Sequence, residues 1–261
     1  METDILSMQV RDKNNIIIFA VMAQGSLHLI PNRISDERGK NDISPSLLKV
    51  ICGLRFWVVE NLRSTRRYLK SLDRSIDIDK MSFLEMNKHV DVSESLEAIQ
   101  WLKAGQDVGV MSDSGLPGIA DPGNVLILKA HEENIPVIPH AGPSSILLGL
   151  IASGLNGQRF MFHGYLPVKS HERKKAIHEI EKQSIQQHAS QIFMETPYRN
   201  GQILDALLDN LNNASWLSLA CDIDSEQPFI RTLRVKTWKQ AGKPQLHKRP
   251  AVYMIQGFDE N

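Results

Sequence analysis

The sequence predicts an α/β protein made of two α/β domains, the first with a mostly parallel sheet and the second with a mixed sheet. Three observations predict it. Short apolar runs alternate with amphipathic helical stretches through the first half, the pattern of strands joined by crossover helices. Near the C-terminus, three apolar runs follow one another without long helices between them, which implies antiparallel pairing. A chain of 261 residues, 42% of them hydrophobic, is long enough to bury one large core or two smaller ones.

Taken in order, Leu27–Ile30 reads as a short buried strand stopped by Pro31, and a polar loop runs from Asn32 to Asn41. Pro45–Ile51 is a predicted helix and Phe56–Val59 a second strand ending at Glu60. From Asn61, LRSTRRYLKSL spaces Leu62, Tyr68, Leu69 and Leu72 on one side of a helix and basic residues on the other. Glu94–Lys103 is a helix closed by Gly105, Val108–Met111 a third strand, Asn124–Glu133 a helix and Pro136–Ile138 a fourth strand. A helix from Ile146 to Gly154 follows Ala141-Gly142-Pro143-Ser144-Ser145. The second half continues with a strand at Phe160–Phe162, a charged helix at His171–Lys182, a strand at Gln191–Met194 and a helix at Ile203–Leu211. The last three strands are Trp216–Cys221, Phe229–Val235 and Ala251–Ile255. The domain boundary is expected near Pro139–Gly142, giving an N-terminal domain over 25–140 and a C-terminal domain over 141–261.

Residues 1–24 are expected to be a leader, disordered or outside the native fold. Arg11 and Lys13 precede the apolar run Ile16–Ala23, which resembles a short signal-peptide core; the other reading makes Met22 the start. A helix needs about 20 apolar residues to span a bilayer, so no membrane partner is expected. The 30 basic and 30 acidic side chains cancel, which argues against whole-molecule attraction to nucleic acid but leaves a local basic face open. Cys52 and Cys221 sit in no metal-ligand spacing, so they read as buried small hydrophobes; a reducing, cytoplasmic location and no metal are expected.

In open α/β sheets ligands bind beyond the carboxyl ends of the strands, and three segments here occupy such ends. Ser112–Gly123 holds three glycines and two prolines, which allow close backbone approach and fix the path of the chain. Asp113 and Asp121 can accept hydrogen bonds there, although Asp121 equally fits a helix cap over Pro122. The loop has neither GxGxxG nor Gly-Lys-Ser/Thr, so it does not cradle a phosphate in those ways. Ser144 and Ser145 open a helix whose free N–H groups suit a carboxylate or carbonyl, with a plain serine cap as the other reading. Glu60–Arg67 sets charged groups at a strand end and along the next helix, to hold a polar or polyanionic substrate or to form a solvated face.

Read together and in order, ENLRSTRR (Glu60–Arg67), SDSGLPGIADPG (Ser112–Gly123), AGPSS (Ala141–Ser145), HGYLPVK (His163–Lys169) and ETPYR (Glu195–Arg199) resemble motifs of the tetrapyrrole methylase-like superfamily. They are most similar to its ribosomal small-subunit RNA methyltransferase I (2′-O-ribose) branch, in a compact subgroup. Any one motif is weak, whereas five in the right order are specific. The chain departs from the branch at Pro31–Asp36, where Pro-Thr-Pro-Ile-Gly-Asn is usual, at Asn61 in place of an acid, and at Ser114 in place of alanine. The extra C-terminal domain of some members is not expected in this chain.

The resemblance implies a homodimer of two-domain subunits with S-adenosyl-L-methionine in the cleft between the domains. Carried over by position, the cofactor contacts are Pro31, Asp113, Ser114, Gly115, Ile119, Ala120, Ser144, Ser145, Tyr165 and Leu166. Glu60 and Glu195 are the candidate catalytic bases, since a ribose hydroxyl is a poor nucleophile. Arg63, Arg66, Lys169 and Arg199 are candidate substrate contacts, and an internal ion pair is the other reading of Glu195 with Arg199. His163 reads as a packed, hydrogen-bonded histidine rather than a base. The implied activity is 2′-O-methylation of a ribose in small-subunit ribosomal RNA. Two alternatives stand beside it: methylation of a small tetrapyrrole-like substrate, and a cofactor-binding interaction protein that has lost catalysis, for which the altered loop Asn32–Asp36 is the main support.

Overall fold

The computed structural model describes residues 7–12, 15–20, 24–35, 37, 43–86 and 92–258. Strands β1 (Ser7–Asp12) and β2 (Asn15–Ala20), inside the expected leader, pair antiparallel as a sheet of their own. Met22 and Ala23, the expected start and end of the apolar core, lie outside the described residues, as do Asp36 and most of the polar loop that follows.

The rest of the chain divides into two units after Pro143, with Ile34, Ser35 and Glu37 grouping with the second unit. In that second unit the Glu37 carboxylate accepts a hydrogen bond from the Glu226 backbone N–H at 3.0 Å.

The first unit is built on a five-stranded sheet in the order β5-β4-β6-β3-β7, every pairing parallel. Its strands are β3 (Leu27–Leu29), β4 (Phe56–Val59), β5 (Ser82–Glu85), β6 (Val108–Met111) and β7 (Val137–Pro139). Four helices accompany them: α1 (Pro45–Gly53), α2 (Leu62–Leu72), α3 (Val92–Lys103) and α4 (Asn124–Glu132). Because strand side chains alternate between faces, β4 feeds two cores at once. Trp57 and Val59 pack with Ile51 and Leu69, whereas Val58 packs with Leu102, Val110 and Leu126. Each such side chain stabilises the unit by roughly 1.5–3 kcal/mol.

The second unit carries a mixed sheet in the order β11-β10-β12-β9-β8, parallel between β8 and β9 and antiparallel elsewhere. Its strands are β8 (Phe160–Tyr165), β9 (Ser190–Glu195), β10 (Trp216–Cys221), β11 (Phe229–Arg234) and β12 (Ala251–Gln256). Helix α5 (Ser145–Ser153) covers one face, where Ile146 and Leu150 meet Val252 and Met254. The other face carries α6 (Ser170–Gln187), α7 (Asn200–Asn210) and α8 (Val235–Ala241), which bury Ile177, Leu204 and Trp238 against Phe193, Leu219 and Tyr253.

Two expectations need correction. Val235 does not end a strand; it opens α8, a helix whose buried side chains are only Val235 and Trp238, three apart. Asp121 does not cap α4, because that helix begins at Asn124 with Gly123 as its N-cap. The sequence reading also passed over β5, an edge strand whose ends are exposed and whose middle is half-buried.

Candidate active site

Three loops of the first unit meet at the carboxyl edge of its parallel sheet, and the residue that joins two of them is Asn32. Its side chain is buried, and Nδ2 donates to the Ser112 carbonyl and to the Asp113 carbonyl, both at 2.9 Å. Its Oδ1 accepts from the Arg33 N–H at 2.9 Å. The backbone joins as well: Asn32 N donates to Gly115 O at 2.8 Å and Gly115 N donates to Asn32 O at 3.2 Å, an antiparallel bridge beyond the parallel strands. Gly115 takes part with φ +73°, a left-handed conformation that costs glycine little. Asn32, at the head of the loop that supported the alternative of lost catalysis, thus orders the Ser112–Gly115 turn.

The third loop follows β4. Glu60 Oε2 accepts from the Asp113 N–H at 3.0 Å, and Ser64 Oγ donates to Asp113 Oδ1 at 2.5 Å. Ser64 is placed by α2, whose N-cap Asn61 accepts from the Ser64 N–H at 3.0 Å. Asparagine and aspartate cap helices about equally well, so the departure at Asn61 keeps the helix start intact. Glu60 and Ser64, from the substrate-side motif, therefore both hold Asp113 of the cofactor motif. Arg63 is exposed on α2, and Arg66 lies over the Phe83 ring at 5.6 Å, which spares the rest of its guanidinium for a ligand.

Beyond Gly115 the loop turns through Gly118 (φ +82°) and Ala120 (φ +65°), leaving Ile119 44% exposed. Alanine in that region is strained by about 1–2 kcal/mol. Asp113, Ser114, Ile119 and Ala120 all face outward, while Pro31 and Gly115 are buried beneath them. Gly142 lies against Pro31 so closely that a Cβ there would fall 2.1 Å from the Pro31 Cβ, so the segment after β7 admits no side chain at this point. An outward carboxylate and an exposed hydroxyl suit the amine and hydroxyl groups of an amino acid joined to a nucleoside through sulfur, which is the chemistry of S-adenosylmethionine.

His28 and His140 sit beside this edge. Their rings stack with centroids 5.3 Å apart, and His28 Nδ1 lies 3.0 Å from His140 Nε2, a shared hydrogen bond with one proton between them. Burial, with His140 next to it, pushes the His28 pKa down against the pull of Asp107; burial lowers that of His140. Sequence reading missed this pair, because His28 and His140 stand far apart in the chain.

The remaining expected residues belong to the second unit. Ser144 Oγ caps α5, accepting from the Leu147 N–H at 3.5 Å, which is the plain serine cap; Ser145 begins the helix. Tyr165 is 56% exposed and Leu166 is buried. The Glu195 side chain is fully buried and forms a two-pronged pair with Arg199, in which Arg199 Nε donates to Oε1 at 2.9 Å and Nη2 to Oε2. Oε1 also accepts from Thr196 N at 2.6 Å and Thr196 Oγ1 at 3.1 Å, while Arg199 Nη2 reaches the Leu166 carbonyl at 3.1 Å. This is the internal pair that the residues also allowed, and it raises the Arg199 pKa through the hydrogen bond that Arg199 donates to Glu195. Lys169 is exposed and pairs with Glu172 at 3.2 Å. His163 Nε2 lies 2.6 Å from Gln191 Oε1, a packed and hydrogen-bonded histidine. Burial pushes the Cys221 thiol up to about 12, in keeping with a small apolar side chain. Among the described residues no group of three or more His, Cys, Asp or Glu could hold a metal, and no helix is long and apolar enough to cross a membrane.

No family model matches the chain. Curated relatives do. Ribosomal RNA small subunit methyltransferase I of Buchnera aphidicola subsp. Schizaphis graminum is 26% identical over 239 residues, 90% of this chain and 80% of the relative. The proteins of the same name from Vibrio cholerae serotype O1 and Bacillus subtilis are each 30% identical, over 76% and 72% of this chain respectively. The chain spans 64% of the Vibrio protein and 61% of the Bacillus protein, under two thirds of either. Among solved structures, the methyltransferase CobJ aligns with a TM-score of 0.58 at 14% identity, over 89% of this chain and 94% of that one. Diphthine synthase aligns with a TM-score of 0.56 at 15% identity, over 89% and 90%. At that identity the two structures speak for the fold, and it is the five ordered motifs and the curated relatives that place the sequence. Over most of its length the chain is similar to the ribosomal RNA small subunit methyltransferases I, and its fold is that of the methyltransferase CobJ and of diphthine synthase.

Proposed function

We propose that this chain transfers a methyl group from S-adenosylmethionine to the 2′-hydroxyl of a ribose in small-subunit ribosomal RNA. The observation that carries the reading is the anchoring of Asp113 by Glu60 and Ser64: one residue of the cofactor motif is held by two of the substrate-side motif. The name borne by the relatives supports the RNA substrate.

When bound, the sulfonium supplies an already activated methyl group, so the protein's task is placement and exclusion of water. Pro31, Asp113, Ser114, Gly115, Ile119 and Ala120 are the proposed cofactor contacts of the first unit; Ser144, Ser145, Tyr165 and Leu166 are those of the second. Asp113 would hold a hydroxyl or the amine through its carboxylate. Glu60 is the proposed base: one oxygen is fixed by Asp113 N, and the other can take the ribose proton. Glu195, with both oxygens engaged by Arg199 and Thr196, fits better as the tie that holds the Leu166 carbonyl in place through Arg199. Arg63, Arg66 and Lys169 are the proposed phosphate contacts. A homodimer in the cytoplasm completes the proposal. Exposed Leu128 on α4 (62%) and Ile151 on α5 (76%) give each unit apolar surface that a second copy would cover.

The test uses small ribosomal subunits from a strain lacking the protein. Purified protein with labelled S-adenosylmethionine should restore a missing ribose methylation there, and E60Q should slow it at least a hundredfold while keeping cofactor affinity. Subunits that carry their full ribose methylation without the protein, and accept no label with it, would overturn the RNA substrate.

A further inference from the structure

Away from every motif residue, the second unit has an open hollow of about 760 Å³ between the end of α7 and the start of α8. Its floor is Arg234, whose guanidinium lies 4.0 Å from the Trp216 ring centroid and 4.8 Å from that of Phe258, and donates to the Ala214 carbonyl. Lys236 and Lys239 rise beside it, exposed, and Asn212 and Asn213 line the opposite wall. Among the described residues no carboxylate lines the hollow. The nearby Glu181 is spent beneath the loop, where its Oε1 accepts from Asn212 N at 2.9 Å and Ser215 Oγ at 2.6 Å. Lys239 Nζ donates to Asn213 Oδ1 at 2.8 Å, which aims the ammonium without neutralising it.

Three cations, with no acid among the described lining residues, favour an anion, and the volume exceeds what a lone phosphate fills. Phe258 is 38% exposed and backed on one side by Arg234, so it offers a supported ring face to a flat partner. Amide side chains on the wall offer both donors and acceptors. Cationic groups beside an aromatic face and side-chain amides form a platform for single-stranded nucleic acid, where bases stack and phosphates lie on lysines. We propose that this hollow binds a single-stranded RNA segment, with one phosphodiester on Lys236, the next on Lys239, and an adjacent base stacked on Phe258. This deepens the RNA reading given above and rests on it: the hollow is a docking point for the same substrate, separate from the residues assigned to methyl transfer. It also gives the chain, whose net charge is zero, a local basic face.

The test measures fluorescence anisotropy of a labelled 12-nucleotide RNA of mixed sequence with the full chain at several salt concentrations. K236A/K239A should weaken binding about tenfold. The same variant should reduce the slope of log K against log salt by about 1.4, the value for two phosphate contacts on a single strand. F258A should weaken binding by about tenfold with the salt slope unchanged, because stacking releases no counterions. K174A/K175A, which removes two exposed lysines of α6, is the charge-matched control and should bind nearly as the wild type. Calorimetry with S-adenosylmethionine on each variant confirms that it is folded. If K236A/K239A keeps wild-type affinity and slope, or if the control loses as much, the docking site is refuted while the methylation reading stands on its ribosomal assay. If the wild-type chain does not bind the RNA at all and does not methylate subunits, both fall together.

Discussion

Replacing Asn32 with alanine removes three hydrogen bonds from one buried position: those from Nδ2 to the Ser112 and Asp113 carbonyls and the one from Arg33 N to Oδ1. The losses are unequal. Ser112 is buried, so its carbonyl is left without that donor at a cost of about 1–3 kcal/mol. Asp113 and Arg33 are reachable by water, so their groups rehydrate and lose only the net value of a hydrogen bond, about 0.5–1.5 kcal/mol each. The total is roughly 2–6 kcal/mol, and it can be expressed in two ways. If the loop keeps its shape, the loss appears in unfolding free energy; if the loop opens to hydrate Ser112, the loss moves into cofactor binding. Asn32→Ala should therefore lower unfolding stability in urea by at least about 1 kcal/mol and weaken S-adenosylmethionine at least tenfold by calorimetry. Asn32→Asp, which keeps the acceptor for Arg33 but turns a carboxylate toward two carbonyls, should be worse than alanine on both readouts. A variant N32A that binds cofactor with wild-type affinity and unfolds within about 0.5 kcal/mol of wild type would refute the reasoning.

Ser64→Ala should weaken the cofactor three- to tenfold by calorimetry while costing under about 1 kcal/mol of stability, since the Ser64–Asp113 bond is exposed and belongs to the loop more than to the core. Glu195→Gln, which leaves Arg199 without its buried counter-charge, should destabilise the protein by about 3–5 kcal/mol in thermal or urea unfolding; a loss under 1 kcal/mol would show that the pair is not holding the Leu166 turn. His28 and His140 both have pKa values pushed below the ordinary imidazole value of 6.5, so the unfolded chain binds protons more readily there than the folded one. Their stabilising contribution is complete above pH 6.5 and is lost as pH falls from there through the folded values. H140Q should flatten the fall in unfolding free energy between pH 7.5 and 5.5, and an unchanged slope would remove the pair from the account. Homodimerisation is read by sedimentation equilibrium, where L128E should shift a wild-type dimer toward monomer.

The parallel sheet of the first unit was legible because its central strands are buried on both faces: β4 and β6 are continuous apolar runs, and the sequence boundaries Phe56–Val59 and Val108–Met111 match the structure residue for residue. Strand β5 was not, because Ser82 and Glu85 at its ends are solvent-facing and only Phe83 and Leu84 touch a core. Helix α8 escaped for a related reason: with Val235 and Trp238 as its only buried side chains, it has too few turns to show a period. At the site, the motif order located the loops, yet what links them was hidden. Asn32 looked like a departure from the family because a motif records which residues are usual, whereas a buried amide's value lies in which carbonyls stand within 3 Å of it. The Glu195–Arg199 spacing was compatible with either catalysis or an ion pair, and only burial with a second hydrogen bond to Leu166 separates the two.

Ala120 has a consequence for how the cofactor loop behaves when its anchors fail. At φ +65° an alanine sits uphill of the right-handed and extended regions, so the local chain, left to itself, would relax into another path. The loop is thus a loaded spring held shut by distant clasps, chiefly Asn32 on Gly115 and Ser112. Releasing a clasp does not merely loosen the turn; it lets stored strain push the chain away from the binding shape. Ala120→Gly would unload that spring, and in an Asn32→Ala background it should return part of the lost affinity, an outcome that additive bookkeeping of contacts does not foresee.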